Sequence, residues 1–491
     1  MPTGRLSADD LDRSPSRARE PIHGRTYRTR AGGSAAATRS RMKRRIFGLE
    51  HEYGVGSTMV SPKSGSPICI TDIVASYLFG RAPRNAFLEN GARLYLDGGF
   101  HPEYATAECD DLLGLLHQDA AGRAIVDSMA REAEQRMREA GWRGDILLFR
   151  NNTDFTGNTY GCHENYLVDR ACCFGRLADA LTPFLVTRQV FAGAGKVLRT
   201  STGFRYCLSQ RAQHVSSVIS GSTRTSRSII DSRDEPHADA RRFRRLHLIL
   251  GDSNMSEVAT YLKCGTTALV LDMIEDGFLD RDYSLDSPVR ALWDVSKDIS
   301  LRTLLRLKDG RTITALEIQE TYLDQVSRYL DTVGADAATT HLLAVWRHTL
   351  KWLARDPMRL ARTLDWVAKL RLIERTMARR SLSWEDAQVS RMDLAYHDIG
   401  REHTLYHGLL SRGLMARVTS DREVDRARVT APQSTRARLR GEFVRQAKLK
   451  GRDYRVDWTY LRLEGENEWT VHCPDPFVAH NDEAQRLIEA L

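Results

Sequence analysis

Arg44-Arg45-Ile46-Phe47-Gly48-Leu49-Glu50-His51-Glu52-Tyr53-Gly54 is the stretch on which the reading of the fold turns. From Arg45 to Tyr53 it alternates with the period of a β-strand, whose successive side chains point to opposite faces. Ile46, Gly48, Glu50 and Glu52 then share one face, and Phe47, Leu49, His51 and Tyr53 share the other. Two glutamates on a covered face cost several kcal/mol each unless they are paired or bound to a cation.

A second stretch, Ala92–Asp97, alternates in the same way. Arg93, Tyr95 and Asp97 fall together, opposite Leu94 and Leu96. The loop that follows, Gly98-Gly99-Phe100-His101-Pro102-Glu103, brings another acid, and Thr106 comes soon after. Carboxylates converging from neighbouring strands make an oxygen-rich pocket of the kind that hard cations such as Mg²⁺ prefer, and Mg²⁺ arrives with phosphates. An arginine on the same face can grip phosphate oxygens. For either strand alone, a solvent-facing polar side explains the pattern as well. Two strands with the same pattern favour a site.

Around these strands the elements are mixed. Residues 120–140 read as an amphipathic helix with Val126, Met129, Ala133 and Met137 as its stripe, ended by Gly141. Asp145–Phe149 and Leu246–Leu250 read as strands. Asp309-Gly310 reads as a hairpin turn, and Thr314 with Glu317 as a capping box opening a mostly helical stretch to about 415. Arg436–Lys448 reads as a basic helix, and Tyr454–Leu463 with Trp469–His472 as a hairpin. The expectation is an α+β fold with residues 1–41 as a disordered basic extension, 42–419 as the main domain and 420–491 as a small C-terminal domain.

Composition is ordinary for a globular chain: 491 residues, 42% hydrophobic and 28% charged. The formal charge of +8 suits anionic partners, nucleotides and acidic proteins among them, although part of it sits in the first 41 residues. Those residues lack interleaved aromatics and carry acids, which argues against a nucleic-acid-binding arm. No apolar run approaches the ~20 residues needed to span a bilayer. The eight cysteines show no Cys-x-x-Cys pair, so reduced thiols in the cytoplasm are expected.

Other segments leave alternatives open. Asn151-Asn152-Thr153-Asp154 and Gly157–Tyr166 suit either a substrate loop or a network of turns. Ser232–His237 and Gly251–Asn254 are similar. Arg436 and Arg440, four apart on one helix face, can hold phosphate or an acidic peptide, or simply be solvated. Trp458 can stack on an adenine or fill a core. Gly193-Ala194-Gly195-Lys196-Val197 fails as a phosphate loop, because Val197 stands where Ser or Thr is required. His403 and His407 lack the glutamate of a metalloprotease helix.

Taken in order, these motifs resemble the Pup ligase/deamidase family. They are residues 44–54, 91–97, 101–109, 151–154, 161–166, 233–239, 251–257, 393–398 and 435–443. The resemblance implies a curved, largely antiparallel sheet cradle like that of glutamine synthetase, with flanking helices and a small C-terminal domain. It implies an ATP-dependent ligase that phosphorylates the C-terminal glutamate γ-carboxylate of the modifier Pup. The ligase then forms an isopeptide bond with lysines of other proteins, marking them for the bacterial proteasome. It further implies Glu50, Tyr95 and Glu103 as Mg²⁺ ligands, Arg93, Thr106 and Trp458 as ATP-binding residues, and Asp97 as catalytic base, with Glu52 as a further ligand. The alternative in the same family is a depupylase/deamidase. That branch carries a long insertion after the first strand, and the stretch from Gly54 to Thr71 is short.

Overall fold

The computed structural model describes residues 44–491 except 64, 80–84, 155–156, 222–226, 401–403 and 467. The expected extension, residues 1–41, and His403 lie outside the described residues.

The fold is α+β. Its centre is an eight-stranded sheet, one member of which is the strand expected from the opening stretch. In chain order the strands are β1 (Phe47–Glu52), β2 (Gly54–Ser57), β3 (Asn85–Phe87), β4 (Arg93–Leu96), β5 (Pro102–Ala105), β6 (Ile146–Phe149), β7 (Cys162–Asp169), β8 (Lys196–Thr200), β9 (Gly203–Cys207), β10 (Ser217–Ser220), β11 (Ser228–Asp231) and β12 (Phe243–Leu248). The sheet runs β10-β11-β12-β7-β1-β5-β4-β3. Only β10 and β11 pair in parallel; the other neighbours are antiparallel.

Register decides which side chains meet. Glu50 lies opposite Ala105 of β5 and His163 of β7, and Glu52 lies opposite Glu103. Across β5, Ala105 faces Arg93 and Glu103 faces Tyr95. On the other side Asn165 faces both Gly48 and His247. Because directly opposed residues project to the same side, these residues share one face. The opposite face carries Phe47, Leu49, Tyr166, Leu246 and Leu248. They are buried against helices that include Phe174–Thr187 and Glu257–Glu275.

The 120–140 helix runs over Leu112–Glu139. Its start is earlier than its stripe suggested, because Asp111 caps it by accepting a hydrogen bond from Gly114 N–H. Gly141, at φ 88°, follows its end. The Thr314–Glu317 capping box forms as expected.

The last third holds a separate small core of Leu439, Phe443, Leu461, Val471 and Leu487. Its expected hairpin is a three-stranded meander, Tyr454–Val456, Tyr460–Leu463 and Trp469–His472. A turn closed by Asp457 N–H donating to Tyr460 O interrupts the first strand and leaves Trp458 at its tip. The helix Ala437–Leu449 is not simply a solvated basic face. Arg436 and Arg440 are buried and both grip Glu108, beyond the end of β5, with Arg436 Nε 2.8 Å from Oε1. That buried pairing ties the small unit to the sheet.

Candidate active site

The polar face of the sheet floors a cavity of about 1060 Å³. Glu50, Arg93, Tyr95, Asp97, Glu103 and Trp458 all line it, so the residues singled out in the two strands converge. A narrower pocket opens from it between sheet and C-terminal unit. Thr106 and Trp458 line this pocket, and it shares Glu50, His237 and Arg245 with the cavity. Trp458 is half-buried and stands edge-on to Phe87, at 5.0 Å between ring centres, with the Arg440 guanidinium 4.8 Å over its ring. It is therefore a pocket wall rather than part of the small core. Thr106 accepts a hydrogen bond from Leu49 N–H at 3.0 Å, which fixes β1 against the end of β5.

The acids crowd. Glu50 Oε2 lies 3.2 Å from His163 Nδ1 and 3.9 Å from His247 Nε2, and Glu52 Oε1 lies 4.0 Å from His163 Nε2. Two groups, Glu50–His163–His247 and Glu52–Glu103–His163, each bring their donor atoms within 4.8 Å of one another. Burial works against ionisation of Glu50, but the His163 hydrogen bond and the cations around it hold its carboxyl well below the usual range. His247, pushed down to about 4 mainly by burial, is neutral at pH 7, so His163 and Arg245 supply that charge. Burial lowers His163, yet Glu50, Glu52 and Glu103 outweigh it and carry the imidazole up to about 9.

Glu103 is pushed up to about 8 by burial and by the Glu50 and Glu52 carboxylates. Burial and the charges of Glu50 and Glu103 raise the Tyr95 phenol as well. Three carboxylates cannot all ionise here without a counter-charge. His247 Nε2 is buried without a hydrogen-bond partner on the same face. Oxygen donors plus an orphaned imidazole nitrogen fit one or more divalent cations.

Asp97 lies just past β4. Burial, with Glu52 nearby, raises its carboxyl above the ordinary value against the hydrogen bonds from His101 and Gly99 N–H. Arg93 donates from Nε to Asn85 Oδ1 at 2.8 Å and lies 4.5 Å over the Tyr95 ring. Sequence reasoning missed the cations of the far wall. Arg211 is buried, and its guanidinium donates to the neutral acceptors Thr159 Oγ1, Tyr160 O and Ile249 O. Arg245 reaches Asn165 Oδ1 at 2.9 Å and lies 3.7 Å from Glu50. His163 was legible in principle. The polar density of Cys162-His163-Glu164-Asn165-Tyr166 suits a loop or turns, but the segment alternates as β7, and the alternation aims His163 at the acids. By contrast, Gly193–Lys196 is structural, with Lys196 Nζ 2.9 Å from Asp393.

An antiparallel floor of carboxylates, an arginine wall and an aromatic side pocket fit an enzyme site for a nucleotide. The chain belongs to the Pup-ligase protein family, whose model matches residues 45–462. It is 48% identical over 456 residues to a Pup–protein ligase of Actinosynnema mirum, covering 92% of this chain and all of that relative. It is 49% identical over 457 residues to one of Acidimicrobium ferrooxidans, with the same coverage. Among solved structures it is similar to the ligase PafA in complex with the prokaryotic ubiquitin-like protein Pup. The TM-score is 0.86 at 39% identity, covering 92% of this chain and 94% of that one. It is also similar to PafA in complex with ADP, at TM-score 0.79 and 39% identity, covering 88% and 96%.

Proposed function

We propose that this chain is an ATP-dependent Pup–protein ligase. The observation that carries the reading is the convergence of Glu50, Glu103, Arg93 and Asp97 in one cavity that opens onto the Trp458 pocket. Its relatives are named for Pup ligation, and its structural neighbours hold Pup or ADP.

In this reading the adenine enters the pocket of Thr106 and Trp458, and the phosphates lie over the acid floor. Glu50, Tyr95 and Glu103 would hold Mg²⁺, with Glu52 beside them, and when bound it would neutralise phosphate charge. Arg93 and the far-wall arginines face the γ-phosphoryl oxygens. The γ-carboxylate of the modifier's C-terminal glutamate attacks that phosphorus and ADP leaves. A lysine ammonium, with a pKa near ~10.4, must lose a proton before it is nucleophilic. Asp97, whose raised pKa favours uptake, accepts it. The amine attacks the acyl phosphate, phosphate departs, and an isopeptide bond forms. The partners are Pup and lysine-bearing proteins destined for the proteasome in the cytoplasm. Among the described residues no helix is long and apolar enough to cross a membrane.

The test is to supply ATP and Mg²⁺ with a lysine-bearing target and modifier ending in either Glu or Gln. Conjugate from the Glu form with one ADP per bond is expected. Deamidation of the Gln form without ligation of the Glu form would refute the ligase reading.

A further inference from the structure

Resting on the assignment of Asp97 as base, we infer that Tyr160 and His101 form a stacked positioning pair that aims this carboxylate at the acceptor amine. Asp97 lies beyond the last ladder residue of β4, in a turn with Gly98 and Gly99 and with Phe100 in the left-handed region at φ 63°. A bulky residue rarely adopts that conformation, so the turn must be held by its contacts.

One oxygen is fully engaged. Asp97 Oδ1 accepts from Gly99 N–H at 2.9 Å and from His101 N–H at 2.6 Å. Oδ2 takes no part in those two bonds and is the oxygen that receives the proton. Its direction is set by where the His101 backbone sits.

His101 is held on two sides. Its Nδ1 lies 3.0 Å from Tyr53 O, a carbonyl that only accepts, so Nδ1 carries the proton. Its ring stacks on Tyr160 with centres 4.4 Å apart and planes 26° from parallel. Tyr160 is in turn anchored, because its hydroxyl donates to Asn151 Oδ1 and Asn151 Nδ2 donates to Thr153 O at 2.8 Å. Gly54, which closes the opening stretch, makes room for it: a Cβ there would lie 2.4 Å from the Tyr160 hydroxyl oxygen. Tyr160, held by Asn151, and the Tyr53 carbonyl thus converge on the ring of His101, whose backbone N–H orients Asp97.

During aminolysis one proton of the lysine ammonium goes to Asp97 Oδ2, the amine nitrogen bonds to the acyl carbon, and phosphate leaves with the C–O electron pair and takes the second proton from that nitrogen. Misplacing a catalytic group by about 1 Å costs on the order of 10²-fold in rate. Hydroxylamine is uncharged at neutral pH and needs no such base. It traps the same acyl phosphate as a hydroxamate.

The experiment compares lysine conjugation with hydroxamate formation in the full chain, using ATP, Mg²⁺ and modifier. The variants are His101→Ala, Tyr160→Ala, their double, His101→Asn (which keeps the bond to Tyr53 O) and Tyr160→Phe (which keeps the stack). The alanine variants should lose ~10–100-fold in conjugation kcat with little change in KM for ATP and with hydroxamate formation largely retained. The double should fall no further than the worse single, and Tyr160→Phe, which keeps the stack but loses the Asn151 bond, should fall less than Tyr160→Ala. Parallel loss of both products, an effect confined to KM for ATP, or unchanged conjugation in every variant would overturn the pair's role. Wild-type protein that forms neither product would instead overturn the ligase reading, and this inference with it.

Discussion

Replacing Glu103 by glutamine should stabilise the metal-free protein, although it removes a proposed metal ligand. Glu103 is 5% exposed and is pushed up to about 8, against 4.5 for a free glutamate. An acid raised on folding imposes no penalty below its unfolded pKa. The penalty grows as pH climbs past 4.5 and is complete above about 8. At ~1.4 kcal/mol per pH unit it reaches roughly 3 kcal/mol at pH 7. Glutamine keeps the shape of the protonated acid and cannot ionise. The variant should therefore gain roughly 2–3 kcal/mol at pH 7 and nothing near pH 4, read by urea unfolding in chelator.

The metal side has the opposite sign. Bound as a ligand, Glu103 must first give up its proton, which at pH 7 costs ~1.4 kcal/mol, or about tenfold in affinity. Wild-type Mg²⁺ affinity should rise about tenfold from pH 7 to pH 9, with a proton released per ion near pH 7. The variant should bind more weakly and show neither effect. Calorimetry in two buffers of different ionisation heat counts the protons. A metal-free variant less stable than wild type at pH 8, or wild-type binding without proton release, would refute the electrostatic account of this floor.

Three further outcomes follow from the same geometry. Asp97→Asn should leave ATP binding intact and abolish conjugation; conjugation at the wild-type rate removes Asp97 from its role. Trp458→Ala should weaken ADP binding by ~1–3 kcal/mol, the range for loss of base–aromatic stacking, measured by calorimetry; an unchanged affinity places the adenine elsewhere. Glu108→Gln leaves Arg436 and Arg440 buried without their carboxylate. It should destabilise the C-terminal unit's attachment by about 3–5 kcal/mol, seen as early proteolysis near residues 430–436, whereas a protease pattern like wild type would show the pairing to be dispensable.

Much of the floor was legible because strand parity is a local property. Once Arg45–Tyr53 and Ala92–Asp97 are strands, Glu50 with Glu52 and Arg93 with Tyr95 must project together, and β1, β4 and β5 place them so. The resemblance to the family separated their roles. What escaped was set by long-range pairing. Nothing local says that β7 and β12 flank β1, so His163, His247 and Arg245 were not joined to the acids. Arg436 and Arg440 looked like a surface stripe because their partner, Glu108, lies more than 300 residues away in sequence. Trp458 stayed ambiguous because its place depends on a turn hidden inside an apparently continuous strand.

The most direct test follows oxygen. The modifier's terminal γ-carboxylate is labelled with ¹⁸O, conjugation is run in unlabelled water with ATP, Mg²⁺ and a lysine-bearing target, and the released phosphate is weighed by mass spectrometry. If the cradle activates the carboxylate as an acyl phosphate, one labelled oxygen appears in phosphate for each isopeptide bond. Conjugate formed with unlabelled phosphate would contradict that chemistry.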